Sequence, residues 1–242
     1  MIEPRSIEWK NESLRQSPPD YPVEGATRGC PNCGGHGYYY AERGGTQYVK
    51  YCECLLSSGE RLSQVGIPDE YIHCSFDGYK PQNDKQSYAL ETARGWVNRY
   101  PEVRKGLLFF GGYGTGKTHL AASITNILAS KAVNIVFTPV PDFLRALKTE
   151  MDTGERTAMD EAKNAQVLVL DDIGIERSTP WAGDVITELL SYRYNGGLIT
   201  IGTTNVQPGA DLADAVTERI ASRLAQMCLM VPVTGQDWRR KR

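Results

Sequence analysis

In the second part of the chain, short, mostly apolar runs alternate with longer segments whose apolar residues recur at helical spacing. The apolar runs are 107–110, 134–137, 167–170, 198–202 and 229–233. Runs this short, without a polar face, are typical of strands buried on both sides. The first helix is predicted over 85–99. Strands that alternate with helices predict an α/β fold, in which a mostly parallel sheet lies between helices.

The first part of the chain lacks this alternation. Two Tyr-rich stretches between residues 37 and 51 flank an Arg-Gly-Gly-Thr turn, which predicts a β-hairpin. A stretch that contains two prolines, Pro68 and Pro81, follows and leads into the helix predicted over 85–99. We therefore expect an N-terminal module over 1–65, a linker over 66–84 and the α/β domain over 85–242.

Composition narrows the class of protein. The 242 residues are 40% hydrophobic and 23% charged, which is ordinary for a globular protein and too apolar for a disordered one. No apolar run approaches the roughly 18–20 residues of a membrane span, and the first residues lack the basic and then apolar layout of a secretory signal. We expect a soluble cytoplasmic protein without a membrane partner. The net charge of −2 identifies no partner, and the basic residues 239–242 either contact phosphate or stay solvated.

Residues 111–118 match the phosphate-loop pattern G-x-x-x-x-G-K-[S/T] in full, between a predicted strand and a predicted helix. Glycines allow backbone N–H groups to curl around phosphates, and the helix N-terminus adds its positive dipole end. We expect Lys117 to contact phosphate oxygens and the Thr118 hydroxyl to ligate Mg²⁺. The expected nucleotide-binding residues are Gly111, Gly112, Tyr113, Gly114, Thr115, Gly116, Lys117, Thr118 and His119.

Two adjacent acids follow the apolar run at 167–170. Because the carboxyl ends of parallel strands meet at one edge of a sheet, Asp171 and Asp172 are expected beside the phosphate loop. We expect Asp171 to hold Mg²⁺, directly or through water, and Asp172 to polarise an attacking water. The next apolar run leads to Asn205, which either orients that water or caps a strand end. Loop and acids together predict hydrolysis of a nucleoside triphosphate by positioning and charge stabilisation.

Two arginines, Arg219 and Arg223, stand four residues apart and so share one face of a predicted helix. They have two interpretations. Either both form ion pairs at the surface, or one projects across a subunit interface as an arginine finger that contacts the nucleotide of a neighbouring copy.

Four of the six cysteines are clustered near the N-terminus, as Cys30 and Cys33 and then Cys52 and Cys54. A disulfide framework is not expected in a reducing cytosol, so metal is the better interpretation. Four thiolates suit a closed tetrahedral Zn²⁺ site, which would fold a hairpin too small to stabilise itself. His36 in place of one thiolate, or an iron–sulfur cluster, remains an alternative.

Four motifs together resemble the bacterial or phage replicative helicase loaders of the DnaC/DnaI type, which are AAA+ ATPases. The motifs are Gly-Thr-Gly-Lys-Thr-His-Leu-Ala at 114–121, Leu-Val-Leu-Asp-Asp-Ile-Gly at 168–174, Gly-Thr-Thr-Asn at 202–205 and Arg-Ile-Ala-Ser-Arg-Leu at 219–224. The segment before the ATPase core, the cysteine pairs and the Asp-Trp-Arg at 237–239 are also similar to parts of these loaders. The resemblance extends over about 30–240.

The resemblance implies a AAA+ core that lacks a full helical lid, preceded by a small zinc-binding, partner-docking module. It implies that the N-terminal module binds a hexameric replicative DNA helicase and that the core binds single-stranded DNA. ATP binding and hydrolysis would switch assembly and release, and copies would assemble through the ATPase interface. The alternative is a transposition helper ATPase of the IstB type, which shares the core motifs; a third is an adaptor that binds ATP and scarcely hydrolyses it.

The resemblance also assigns roles to residues. Asp171 and Asp172 match the Walker B pair and Asn205 matches sensor 1. Arg223 is the expected finger, with Arg219 in reserve. Arg239 matches sensor 2, which contacts nucleotide in its own subunit. Helix residues Phe143, Arg145 and Lys148 align with contacts to DNA in these loaders, although a plain amphipathic helix explains them equally well. Most AAA+ enzymes carry Glu where this chain has Asp172, and the shorter acid implies slow turnover.

Overall fold

The computed structural model describes residues 34, 38–43, 46–51, 65–131, 133–154, 157–174 and 179–238. The chain divides into two units between Ser57 and Ser58. In the first unit, β1 (Tyr38–Arg43) pairs antiparallel with β2 (Thr46–Tyr51), which confirms the predicted hairpin. The four cysteines predicted to bind zinc lie outside the described residues, as does His36.

The second unit has the α/β architecture predicted for it. Its strands in the described ranges are β3 (Gly106–Phe110), β4 (Ile135–Pro139), β5 (Val167–Asp171), β6 (Ile199–Thr204) and β7 (Cys228–Pro232). Its helices in the same ranges are α1 (Asp84–Arg99), α2 (Lys117–Ser130), α3 (Val140–Thr153), α4 (Thr157–Asn164), α5 (Pro180–Asn195), α6 (Ala210–Ala215) and α7 (Glu218–Met227). Within the described part of the chain, no helix combines the length and apolar character needed to cross a membrane.

The order of the strands brings three chain segments to one edge of the sheet. The described strands of this unit form a five-stranded sheet in the order β4-β5-β6-β3-β7, and every neighbouring pair is parallel. Thus β6 lies between β3 and β5, with Phe110 beside Thr204 and Leu170 beside Gly202. The segments that follow β3, β5 and β6 therefore leave the sheet side by side at its carboxyl edge, where α/β proteins bind ligands.

Both faces of the sheet are covered, and β3 illustrates why its sequence is uniformly apolar. Successive side chains of a strand point to opposite faces. Leu107 and Phe109 pack in the layer that contains α1 and α2, whereas Leu108 packs in the layer that contains α3, α5 and α7. All three side chains are fully buried. Burial of this kind stabilises by roughly 1.5–3 kcal/mol per large apolar side chain, so β3 is a firm base for the loop that follows it.

Residues 65–83, which include most of the linker predicted over 66–84, pack against the α/β core. Ile67, Phe76 and Tyr79 are buried in the same layer as α1 and α2. The side-chain amide of Asn126 on α2 donates to two carbonyls of this segment, at 3.0 and 2.8 Å. The segment therefore has a fixed position on the helix that follows the phosphate loop.

Candidate functional site

The phosphate loop has the backbone conformation that its glycines were expected to allow. It connects Phe110, at the end of β3, to Lys117, at the start of α2. Gly114 has φ +64° and Gly116 has φ +96°, values that other residues rarely adopt. A Cβ atom on Gly116 would also stand 2.5 Å from the Tyr79 ring. At the tip of the loop, Tyr113 is 62% exposed.

The Lys117 ammonium lies inside this loop. Its side chain is 5% exposed. The Nζ atom donates to the carbonyls of Gly111 at 3.0 Å and Gly112 at 2.7 Å, and to the side-chain oxygen of Asn205 at 2.7 Å. A cation held in this way, among loop carbonyls and next to a helix N-terminus, is placed to bind an anionic phosphate.

The Thr118 hydroxyl, at the start of α2, and the Asp171 carboxylate, at the end of β5, lie together as two possible oxygen ligands for a metal ion. The Thr118 hydroxyl donates to the Asp171 carboxylate at 3.0 Å. Burial, with a smaller contribution from the Asp172 charge, raises the pKa of Asp171 to about 6, although hydrogen bonds from Thr203 and Thr118 and the Lys117 charge act in the opposite direction. Mg²⁺ prefers oxygen ligands and one or two carboxylates, so this pair fits that ion.

Asn205 connects the phosphate loop to the second acid. Its side-chain oxygen accepts from Lys117, and its side-chain nitrogen faces an Asp172 carboxylate oxygen at 3.4 Å. Asp172 has φ +59°, and among the described residues it is the one non-glycine residue with a positive φ. Strained backbone of this kind is concentrated at functional sites. The residues predicted to bind phosphate, metal and water therefore lie within one hydrogen-bonded group.

Three residues that the sequence did not assign to the site support the loop from outside. The Tyr79 hydroxyl and the Gln86 side-chain amide both donate to the Thr115 carbonyl, at 3.2 and 3.3 Å. The Trp238 N–H donates to the Gly114 carbonyl at 3.1 Å. Gln86 is fully buried. A polar residue on the apolar face of a predicted helix is a sequence signal that could have identified Gln86. The contact from the Trp238 backbone N–H depends on the tertiary fold, which brings residue 238 back to the loop.

His119 contacts the segment before α1. Its Nε2 lies 2.8 Å from the Ser75 carbonyl, and its Nδ1 lies 3.4 Å from the Cys74 sulfur. A carbonyl can only accept, so we assign the ring proton to Nε2, which leaves Nδ1 to accept from the thiol. Burial raises the pKa of Cys74 to about 11, so the thiol keeps its proton. His119, which is predicted to bind nucleotide, thus also connects α2 to the segment at 65–83.

The residues expected to contact DNA have different environments. Phe143 is 3% exposed and packs in the core, so its ring is not available to stack on a base. Arg145 and Lys148 are exposed on the same helix. The Arg145 guanidinium pairs with Asp142 at 2.7 Å, and the Lys148 ammonium lies 5.2 Å from the centre of the Trp181 ring. For Phe143 the amphipathic-helix interpretation therefore applies.

The two candidate finger arginines lie on α7. Arg219 is exposed. The Arg223 guanidinium lies 4.5 Å above the Tyr194 ring of α5 and donates to Gln226 at 3.1 Å. Arg239, the candidate for sensor 2, lies outside the described residues, although Trp238 immediately before it is bonded to the phosphate loop.

Comparison with known sequences associates this site with one family. Residues 77–242 match the family described as IstB-like ATP binding protein. The replicative helicase loader DnaC of Escherichia coli is 28% identical over 166 residues, which are 67% of this chain and 67% of that protein. The replicative helicase loader DnaI of Bacillus subtilis is 39% identical over 172 residues, which are 66% of this chain but 55% of that protein.

Solved structures show the same relationship. The crystal structure of the DnaC helicase loader superimposes with a TM-score of 0.64 at 36% identity, and the match covers 69% of this chain and 99% of that one. The crystal structure of DnaI superimposes with a TM-score of 0.60 at 30% identity and covers 69% and 94% of the two chains. The architecture of about two thirds of this chain thus occurs in solved helicase loaders.

Proposed function

The chain belongs to the IstB-like ATP-binding proteins of the AAA+ class, as a homologue of the DnaC/DnaI helicase loaders, and from this premise we propose that it is an ATP-dependent loader of a replicative DNA helicase. ATP binding and hydrolysis switch its assembly with, and its release from, the hexameric helicase and single-stranded DNA. The contact between Lys117, Asn205 and Asp172 beside the Thr118–Asp171 pair supports the ATP dependence, and the homology to the DnaC/DnaI loaders supports the loader role.

Each part of the site has a task in ATP hydrolysis. The loop amides and Lys117 bind the β- and γ-phosphates, because they present N–H donors and a positive charge in one concave turn. The Thr118 hydroxyl and the Asp171 carboxylate would hold Mg²⁺, which would neutralise charge that develops on the phosphates. Asp172 polarises the attacking water, and Asn205 orients it.

The carboxylate at position 172 indicates slow turnover. Asp is one methylene shorter than the Glu that most AAA+ enzymes carry there, so it reaches water less well. A slow ATPase is suited to a switch, since the ATP-bound state must persist while the partner and DNA are engaged. Stimulation of hydrolysis by single-stranded DNA then times release.

Surfaces outside the nucleotide site supply the remaining proposed contacts. Arg145 and Lys148 are exposed on α3 and are proposed to contact DNA phosphates, for which Arg and Lys are the usual donors. Arg223, with Arg219 in reserve, is proposed to reach the nucleotide of a neighbouring copy. The N-terminal module over 1–65 is proposed to dock the helicase, with the four clustered cysteines folded around Zn²⁺.

A second function is favoured by the family description itself. The matched family is named after IstB-like proteins, and the IstB-type helper uses the same ATPase core in transposition. The two functions differ in the partner that the ATP-bound protein recruits. The identity of that partner is therefore the decisive measurement.

The test is affinity purification of the tagged full-length chain from its native cells, with ATP and Mg²⁺ in one sample and neither in the other, followed by mass spectrometry. Recovery of the hexameric replicative helicase in the ATP sample is the expected result. Recovery of a transposase instead would transfer the same chemistry to the alternative function. A third sample, with ATP and Mg²⁺ and with DNA removed by nuclease, distinguishes direct contact with the helicase from co-purification on DNA.

A further inference from the structure

One buried hydroxyl contacts both acids of the site. Thr203 lies on β6 and is fully buried. Its Oγ1 is 2.6 Å from an Asp171 carboxylate oxygen and 2.9 Å from the Asp172 backbone nitrogen. The Thr203 carbonyl also accepts from the Ile173 N–H at 2.8 Å. Three consecutive residues, the last of β5 and the two that follow it, are thus hydrogen-bonded to this single residue.

The directions of these hydrogen bonds follow from the chemistry of the groups. A backbone N–H can only donate, so Thr203 Oγ1 accepts from Asp172. The hydroxyl has one proton, and the proton is therefore available for the ionised Asp171 carboxylate, which can only accept. The short distance of 2.6 Å is typical of a hydroxyl bonded to a charged oxygen. The hydroxyl thus donates one hydrogen bond, to Asp171, and accepts one, from Asp172, and the two bonds together fix its orientation.

The backbone after β5 explains why both acids need to be held. Successive side chains of an extended strand point to opposite faces, so two adjacent acids cannot serve one site if the strand simply continues. The left-handed φ of +59° at Asp172 breaks the alternation, and its carboxylate comes to face Asn205. Such a conformation is unfavourable for a non-glycine residue and persists only where the surroundings hold it. The Asp172 N–H bond to Thr203 is at that turn.

We propose that Thr203 is a positioning residue for ATP hydrolysis: its hydroxyl directs Asp171 toward Thr118 and holds the turn that directs Asp172 toward Asn205. The inference rests on the proposed ATPase activity. In it, Thr203 orients Asp171 to hold the metal ion and Asp172 to polarise the water. Thr203 is fully buried, so it acts through the two acids.

The test compares T203V, which removes the hydroxyl at nearly constant shape, with T203S, which keeps it. The matched control is T125V, because Thr125 is equally buried but donates to the Ala121 carbonyl within α2. We expect T203V to lower kcat about 10–100-fold, as loss of a residue that orients metal ligands commonly does. KM for ATP should change by less than about threefold because Lys117 and the loop are untouched. T203S should restore kcat, and T125V should behave as the wild type.

A kcat for T203V equal to that of T125V would overturn the proposal, and so would equal losses in T203V and T203S, which would indicate packing alone. If thermal denaturation shows that valine disturbs the fold, T203A replaces T203V with the same criteria. Absence of hydrolysis in the wild type would refute the proposed ATPase instead. In that case the role of Thr203 is tested by the Kd for ATP measured with and without Mg²⁺. Mg²⁺ should lower this Kd less in T203V than in T203S, and an equal effect in the two variants would refute the role of Thr203.

Discussion

Replacement of Lys117 by Ala removes the cation from the centre of the phosphate loop, and its effect on ATP affinity can be worked out from the contacts. In the structure the ammonium donates to neutral oxygens of Gly111, Gly112 and Asn205. Phosphate oxygens would replace some of these as charged acceptors. A hydrogen bond to a charged group contributes about 1.5–3 kcal/mol, against about 1 kcal/mol for a neutral pair.

At the middle of these ranges, one charged bond to each of the β- and γ-phosphates contributes about 4.5 kcal/mol and replaces two neutral contacts worth about 2 kcal/mol, a net gain of about 2.5 kcal/mol. Each 1.4 kcal/mol corresponds to about tenfold in Kd, so Lys117→Ala should weaken ATP binding about 60-fold. The low exposure of Lys117, at 5%, places this estimate above that for a surface charge.

The assay is titration with a fluorescent ATP analogue in the presence of Mg²⁺, together with thermal denaturation to establish that the variant is folded. Lys131→Ala is the control, since Lys131 is an exposed lysine at the opposite end of the same helix. The control should bind as the wild type does. A Kd for Lys117→Ala within about threefold of the control would refute the phosphate-loop assignment itself, because removal of a lysine that contacts the phosphates should weaken binding far more than that.

Three further predictions follow from individual contacts. Tyr79→Phe removes one of the donors to the loop carbonyl and should weaken ATP binding by about two- to tenfold in the same titration; unchanged affinity would remove Tyr79 from the loop support. Phe143→Ala should lower the free energy of unfolding in urea by about 3–5 kcal/mol, whereas Arg145→Ala should change it by less than about 0.5 kcal/mol. Arg223→Ala should preserve ATP affinity and abolish cooperative assembly measured by light scattering; recovery of ATPase activity on mixing with Lys117→Ala would support a shared site, and its absence would count against one.

The parts of the fold that the sequence predicted are those with local signals. A continuous apolar run is a strand buried on both faces wherever it lies in the sheet, so all five predicted strands of the α/β unit are found in the described ranges. The phosphate loop is likewise local, because its glycine conformations depend on a few neighbouring residues. Strand order is not local: the pattern does not reveal that β6 separates β3 from β5.

Arg193 shows what such patterns cannot provide. On the helix sequence it resembles a solvated charge, yet it is fully buried. Its guanidinium donates to Thr200 at 3.1 Å and to the carbonyls of Ala162, Ala165 and Ile199. Burial lowers its pKa to about 10, so it remains charged at neutral pH. These carbonyls come from the end of α4 and the start of β6, and only the tertiary fold brings them together.

The candidate site has the same division between local and tertiary information. The sequence predicts Lys117 and Thr118 from one continuous motif. The role of Thr203 cannot be predicted in this way, because it depends on the placement of β6 beside β5. That placement lets one hydroxyl reach the carboxylate of Asp171 and the backbone of Asp172. It also places Asn205 between Lys117 and Asp172. β6 and the residue that follows it therefore supply the polar side chains that connect the phosphate loop and the two acids by hydrogen bonds.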